Sequence, residues 1–270
     1  MGETNIIDII RTIKYYAHKL VRRVAEIRKD SAYRMTKESI VDRIYKGVIV
    51  SCQALKHEPL YGADIMARMA IAAEIGGAVA IRANYPEDIH AIRQAVQLPV
   101  IGLKKVHYDD SDAYITPTLK EVGEVVKAGA DIVAIDCTKV IKPGNKTTRD
   151  FIKEIRDNFQ TIILADISTY EEAVDAREAG ADMISTTLSG YTPYSPQIEG
   201  PDFELVERLA KTMDIPVIAE GRIWTPEEAV KALELGAYAV VVGTAITRPQ
   251  EITKRFTRAV SKLNISEIKR

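Results

Sequence analysis

Beyond Gly47 the chain alternates between short, continuously apolar runs and amphipathic stretches of helical length. That is the pattern of a parallel sheet wrapped by helices. Eight runs are legible: Val48–Ser51, Val79–Arg82, Val100–Leu103, Ile132–Asp136, Thr161–Ala165, Met183–Thr186, Val217–Glu220 and Ala239–Gly243. They are apolar throughout rather than alternating, as strands buried on both faces require. A second rhythm runs alongside. Glycine ends the amphipathic stretch before four of the runs, at Gly76-Gly77-Ala78, Gly129-Ala130-Asp131, Gly180-Ala181-Asp182 and Gly236-Ala237-Tyr238. Glycine supplies the left-handed backbone that closes a helix just before the next strand. Two other runs open on proline, in Leu98-Pro99-Val100 and Ile215-Pro216-Val217. Eight strands in this rhythm predict a closed (β/α)8 TIM barrel over residues 37–270. An open doubly wound sheet would need fewer strands and a glycine-rich turn after the first, where this chain has Ser51-Cys52-Gln53.

A different period governs the N-terminal segment, residues 1–36, which reads as a helical extension. Ile6, Ile10, Ile13, Ala17, Leu20, Val24 and Ile27 recur at alternating steps of four and three, with Arg11, Lys14, Lys19, Arg22 and Arg23 off that seam. Three heptads are short for a self-standing coiled coil, and Ile7, Ile9 and Val21 widen the stripe. The segment is expected either to pack on its own barrel or to hold a homo-oligomer together. A membrane-surface helix fits less well, because Asp8, Glu26 and Asp30 dilute its charge.

Composition narrows the function. Lys and Arg number 37 against 38 Asp and Glu, which gives no electrostatic reason to expect a nucleic-acid partner. Cys52 and Cys137 are too few for a disulfide framework and lie in no metal-type cluster. The early apolar residues are interrupted by Asp8, Arg11 and Lys14, unlike a signal peptide, and no run has the apolar length of a membrane span. A cytoplasmic protein without a membrane partner is expected.

In such a barrel the reactive groups sit at the C-terminal ends of the strands. Those positions hold Gln53, Arg82, Lys105, Asp136, Asp166, Thr186 with Thr187, Glu220 and Gly243. Any one of them could simply mark a strand's exit into solvent, but as a set they converge on one face of one pocket. The last run continues Gly243-Thr244-Ala245-Ile246-Thr247-Arg248-Pro249, and the seventh ends Glu220-Gly221-Arg222. Glycines and a short helix start after strands seven and eight form the usual phosphate site of these barrels. An ordinary tight turn with a solvated Arg248 is the plain alternative. A phosphorylated small molecule is expected, held by Gly221, Arg222, Gly243, Thr244 and Arg248.

Several stretches carry a family resemblance: Ile49-Val50-Ser51-Cys52-Gln53-Ala54-Leu55, Ala80-Ile81-Arg82-Ala83, Ile101-Gly102-Leu103-Lys104-Lys105, Tyr108-Asp109-Asp110-Ser111 and Tyr114-Ile115-Thr116-Pro117-Thr118. It continues through Ala165-Asp166-Ile167-Ser168-Thr169, the long run Ser185-Thr186-Thr187-Leu188-Ser189-Gly190-Tyr191-Thr192-Pro193-Tyr194, Glu220-Gly221-Arg222 and the phosphate loop. In these residues, in order from about Ser39 to the last barrel helix, the chain resembles the N-acetylmannosamine-6-phosphate 2-epimerases of the ribulose-phosphate-binding barrel class. The resemblance implies interconversion of N-acetylmannosamine 6-phosphate and N-acetylglucosamine 6-phosphate, in amino-sugar and sialic acid catabolism. It places the family's catalytic lysine and glutamate on Lys105 and Glu220. Strand alternation agrees in separating Lys105, on the inward face with Ile101 and Leu103, from Lys104. It further implies Gln53, Arg82 and Asp166 at the sugar, with Arg222 and Arg248 near the phosphate, and Thr187 is grouped with the sugar-binding set.

Inverting C2 means removing the proton beside the latent C1 aldehyde and returning one to the other face, with no cofactor. A lysine base must lose its proton near pH 7, and burial or the Arg82 charge would lower its pKa from about 10.4. Arg82 and Gln53 would serve the developing enolate, and Glu220 ring opening or the second proton transfer. For each charged pair the plain alternative is a structural salt bridge. No metal is expected: His18, His57, His90 and His107 share no ligand spacing, and no acidic cluster marks a divalent site. Cys52 is expected to face away from Gln53 in a structural role. The rivals are another phosphosugar reaction, such as a lyase or decarboxylase using Lys105, and a non-catalytic phosphosugar sensor.

Overall fold

The computed structural model describes residues 36–263, so the expected helical seam between Ile6 and Ile27 lies outside the described residues. The chain divides into residues 1–39 and 40–270, and the second unit is the barrel. In chain order its strands are β1 (Val48–Cys52), β2 (Ala80–Asn84), β3 (Val100–Leu103), β4 (Ile132–Asp136), β5 (Ile162–Asp166), β6 (Met183–Ser185), β7 (Val217–Glu220) and β8 (Ala239–Val242). All pair in parallel in sequence order and close through β8 onto β1. The eight expected runs are therefore the eight strands.

The helices are α1 (Lys37–Ile44), α2 (Ala63–Ile75), α3 (Pro86–Ala95), α4 (Leu119–Lys127), α5 (Thr148–Asn158), α6 (Tyr170–Ala179), α7 (Phe203–Thr212), α8 (Pro226–Glu234), the single turn α9 (Thr244–Thr247) and α10 (Pro249–Ser261). Their starts follow local chemistry. Thr169 and Thr225 each form a reciprocal capping box, with Glu172 and Glu228, satisfying otherwise orphaned N–H groups at α6 and α8. Their ends follow the glycine rhythm: Gly180, closing α6, has φ +103°.

Two cores flank the sheet. Outward residues such as Val133, Ile135, Ile163 and Ala165 pack with Val122, Val125, Phe151, Ile155, Ala173 and Ala176 of the helices. The residues between them in sequence therefore point to the barrel axis. Gly102 fixes this alternation for β3: a Cβ there would lie 2.6 Å from the Ala130 Cβ and 2.7 Å from Val125, against the helical layer. Ile101 and Leu103 thus face inward.

Some strand ends differ from expectation. β2 runs two residues past Arg82 because Asn84 pairs in register with Leu103, so Arg82 projects from within the strand rather than from its end. β5 ends one residue late, on Asp166, in register with Asp136 and Ser185. Among the described residues no helix is long and apolar enough to cross a membrane.

Candidate active site

At the C-terminal mouth of the barrel a cavity of about 300 Å³ opens among strand ends and loops. This size suits a small polar ligand. Gln53, Arg82, Lys105, Thr187 and Glu220 line it, as do Gly221, Arg222, Gly243, Thr244 and Arg248. The residues expected at the sugar and at the phosphate thus share one cavity, with one exception. Asp166 is fully buried and does not reach the cavity wall.

Asp166 instead anchors Arg82. The guanidinium donates from Nη1 to Asp166 Oδ1 at 3.1 Å and from Nη2 to Oδ2 at 2.5 Å, and Nη1 lies 3.4 Å from Glu220 Oε2. Both residues of the tight pair are at most 1 % exposed, so each removes the other's unpaired charge from a medium that cannot solvate it. Burial works against the Arg82 cation, but the Asp166 and Glu220 carboxylates outweigh it and keep the group charged. The Thr187 hydroxyl donates to Asp166 Oδ1 at 2.6 Å and sits 2.8 Å from Ser185 Oγ, whose own reach extends to Glu220. Arg82 Nε is buried with no hydrogen-bond partner.

Lys105 lies two residues beyond β3 and continues its inward alternation. Its backbone N–H donates to Asn84 Oδ1 at 2.9 Å, tying the loop to the end of β2. Burial first, and then the Arg82 charge, bring the Lys105 amine from 10.5 down to about 8, with Glu220 opposing and Arg248 adding to the fall. Glu220 moves the other way. Burial raises its carboxyl above the usual range, Arg82 opposes this and Asp166 adds to it. Its backbone is held by Thr186, whose Oγ1 accepts from the Glu220 N–H at 3.0 Å and donates to its carbonyl at 2.9 Å. Lys104 faces the helical layer and pairs with Glu124 of α4.

Across the mouth, Gly243 precedes the single-turn α9, and a Cβ there would press on Ser51 at 3.3 Å. Arg248 reaches the cavity while pairing with Glu58 at 2.8 Å. Arg222 also reaches it, with part of its guanidinium engaged. Nε donates to the Gly200 carbonyl at 2.7 Å and Nη1 to the Ser189 carbonyl, while the group sits 5.7 Å from the Tyr191 ring centroid. These contacts join both ends of the β6–α7 loop. They let Arg222 brace that loop while it lines the cavity where the phosphate is expected. Gly190 makes room for the brace: a Cβ there would lie 2.0 Å from Arg222 Nη1, on a residue whose φ is +80°.

Tyr114, Ile115, Tyr191 and Trp224 are among the other residues of the wall and were not singled out from the sequence. Tyr114, Ile115 and Tyr191 fall inside quoted motifs, but a loop's path leaves no periodic signal. Cys52 packs in the outer core, where burial pushes its thiol up to about 12, as its structural reading required. His57, His90 and His107 are exposed, and His18 lies outside the described residues.

The family whose model matches residues 66–262 is described as N-acetylmannosamine-6-phosphate epimerase, a provisional name. A protein of Caldanaerobacter subterraneus subsp. tengcongensis, provisionally named N-acetylmannosamine-6-phosphate 2-epimerase, is 62% identical over 231 residues, 85% of this chain and 98% of its own. One from Clostridium perfringens with the same provisional name is 55% identical, covering 81% of this chain and 98% of its own. The solved N-acetylmannosamine-6-phosphate 2-epimerase from Clostridium perfringens superposes with a TM-score of 0.80 at 52% identity, covering 85% of this chain and all of that one. A thiamine phosphate pyrophosphorylase from Pyrococcus furiosus, at 22% identity and a TM-score of 0.53, covers 78% of this chain and 92% of its own and shares the fold alone.

Proposed function

The chain belongs to the N-acetylmannosamine-6-phosphate 2-epimerase family, and from that premise we propose that its cavity inverts C2 of N-acetylmannosamine 6-phosphate to give N-acetylglucosamine 6-phosphate. The observation that carries the reading is the opposed pair in one cavity: an amine brought down to about 8 on Lys105 and a carboxyl raised on Glu220. Groups whose environments drive their pKa values toward neutrality from opposite sides suit proton removal and return.

In this reading the sugar ring opens and exposes the C1 aldehyde. Lys105 takes the C2 proton, and the electron pair left behind delocalises onto O1. Arg82, held in place by Asp166, stabilises that oxyanion together with the Gln53 amide. Protonation from the opposite face completes inversion, with Glu220 as the second proton carrier. Gly221, Gly243, Thr244 and Arg248 hold the phosphate.

Incubation of the substrate with the protein in deuterated water tests the reaction. Deuterium at C2 of the product is the expected result. Unlabelled product, or none, rejects the reading. A borohydride-trapped adduct on Lys105 would favour the lyase alternative, and binding without turnover the sensor.

The phosphate assignment makes its own prediction. Arg248→Ala is expected to raise KM about tenfold or more while kcat changes little, because the contact is equal in ground and transition states. Steady-state kinetics on the phosphorylated sugar reads this, and an unchanged KM removes Arg248 from the phosphate site.

We further propose a place in amino-sugar catabolism, including sialic acid breakdown, and a cytoplasmic location, in keeping with the free, buried thiols of Cys52 and Cys137. A homo-oligomer held by the N-terminal extension is likewise proposed, and light scattering of protein with and without residues 1–35 tests it.

A further inference from the structure

After β3 the chain doubles back on itself before entering α4. The Val106 N–H donates to the Tyr114 carbonyl at 3.0 Å, and the Thr116 N–H to the Lys104 carbonyl at 2.8 Å. Lys105 and Ile115 form an antiparallel bridge between them. Thr116 is buried and holds φ at +47°, a region that a β-branched residue enters only when its surroundings force it. Its own hydroxyl helps to do so by accepting the Lys104 N–H at 3.0 Å. The His107 ring stacks on Tyr114 with centroids 5.9 Å apart and planes 20° apart. The segment that carries Lys105 therefore also fixes Tyr114, and Tyr114 lines the cavity.

The Tyr114 hydroxyl differs from the hydroxyls of several other tyrosines of the barrel. Those of Tyr108, Tyr194 and Tyr238 donate to Glu121, Glu172 and the Val41 carbonyl. That of Tyr114 has no hydrogen-bond partner among the described residues. Burial, with the Asp166 and Asp136 carboxylates nearby, pushes it up to about 12, so it keeps its proton. Neither carboxylate claims that proton, because each is already engaged. Asp166 accepts from Arg82 and Thr187, and Asp136 from Thr138 and the buried Lys142. A held, protonated hydroxyl at a cavity wall is a donor free to be taken up by a ligand.

Its place in the barrel says which part of the ligand that is. The phosphate groups follow β7 and β8, and the loop after β3 stands on the far side of the closed ring. A sugar bound by its C6 phosphate presents C1 and C2 to that far side. There Arg82 and Lys105 serve O1 and the C2 proton, and the strongest remaining neutral acceptor is the acyl carbonyl on the C2 nitrogen. Ile115 and the Tyr191 ring line the same cavity and offer apolar surface for the acyl methyl.

We propose that the Tyr114 hydroxyl donates a hydrogen bond to the acyl carbonyl at C2 and makes the site selective for an N-acylated sugar phosphate over one bearing a free amine. This rests on the epimerase reading above. A ligand without the acyl group leaves this hydroxyl to water and gains nothing from it, so the acylated sugar phosphate is preferred.

Tyr114→Phe keeps the ring and its stacking on His107 while deleting the donor. In that variant KM for N-acetylmannosamine 6-phosphate is expected to rise about tenfold, the scale of one lost neutral hydrogen bond, with kcat within about threefold. Competitive inhibition by mannosamine 6-phosphate, which has no acyl carbonyl, is expected to be unchanged. A structural role would weaken both ligands together, and that result, or an unchanged KM, overturns the proposal. The deuterium assay on the unaltered protein decides the reaction separately. Should it fail, calorimetric binding of the acylated and free-amine sugar phosphates to both proteins still reads the Tyr114 contact.

Discussion

Lys105→Ala is expected to lower kcat about 10³-fold, within the range that one positioned acid or base contributes, while the protein still folds and still binds the phosphorylated sugar. The mutated side chain lies in a loop beyond β3 and buries no apolar core, so little stability depends on it. Lys104→Ala is the matched control. Its amine pairs with Glu124 on the helical side, and its loss should leave turnover near normal. The pH profile gives an independent reading. Proton removal needs a neutral Lys105 and proton return a protonated Glu220, so kcat/KM should be bell-shaped and fall as pH rises past about 8, with about one lysine in ten already neutral at pH 7. Near-normal turnover in Lys105→Ala, or a profile flat from pH 6 to 9, would assign proton abstraction elsewhere, with Glu220 the next candidate.

The second large effect is on stability. Asp166→Ala is expected to cost about 3–5 kcal/mol, because it strands the Arg82 cation in a site that is 1 % exposed. Glu220, 3.4 Å from the guanidinium, offsets only part of that loss. In a barrel of this size the melting temperature should fall by on the order of 10 °C. Removing both charges distinguishes this cause from a simple packing defect. The Arg82→Met, Asp166→Ala double variant should melt above Asp166→Ala alone, since the stranded charge is gone. A double variant that melts lower than the single would show that the pair contributes net stability and not merely mutual neutralisation. Both variants are expected to lose turnover, through the lost oxyanion partner in one and its lost anchor in the other.

These two predictions also mark what was legible in the sequence. The eight strands could be read because each is a continuous apolar run, and parallel strands buried on both faces leave that trace in any order of loops. Gly180 and its counterparts could be read because a left-handed helix end tolerates few other residues. Lys105 was placed by the family resemblance with strand alternation agreeing, and the outward packing of Gly102 shows that this inward register continues past the end of β3. The depth of Asp166 did not emerge. Strand-end position places a carboxylate at the mouth, and only its pairing with a second inward residue, Arg82, draws it beneath the cavity floor. The bracing contacts of Arg222 did not emerge for a related reason. Its partners are the backbone carbonyls of Ser189 and Gly200, and carbonyls look the same in every sequence. The doubled-back segment carrying Tyr114 was invisible for want of period: two short loop stretches pair around a strained Thr116, with no repeat to announce them.

The close fit of Gly190 beneath the Arg222 guanidinium has a consequence for how this loop can drift over generations. A side chain at position 190 would overlap the end of the arginine, so replacing the glycine makes the guanidinium shift and give up its hold on the loop. Shortening Arg222 first would remove the overlap, though the backbone at 190 would still favour glycine or asparagine. The two positions are thus linked in order as well as in identity, with change at 222 easing the path to change at 190 and the reverse route costing the brace. Sequences descended from a common ancestor with this barrel should carry glycine at 190 wherever arginine persists at 222, and freedom at 190 only in lineages that have lost it.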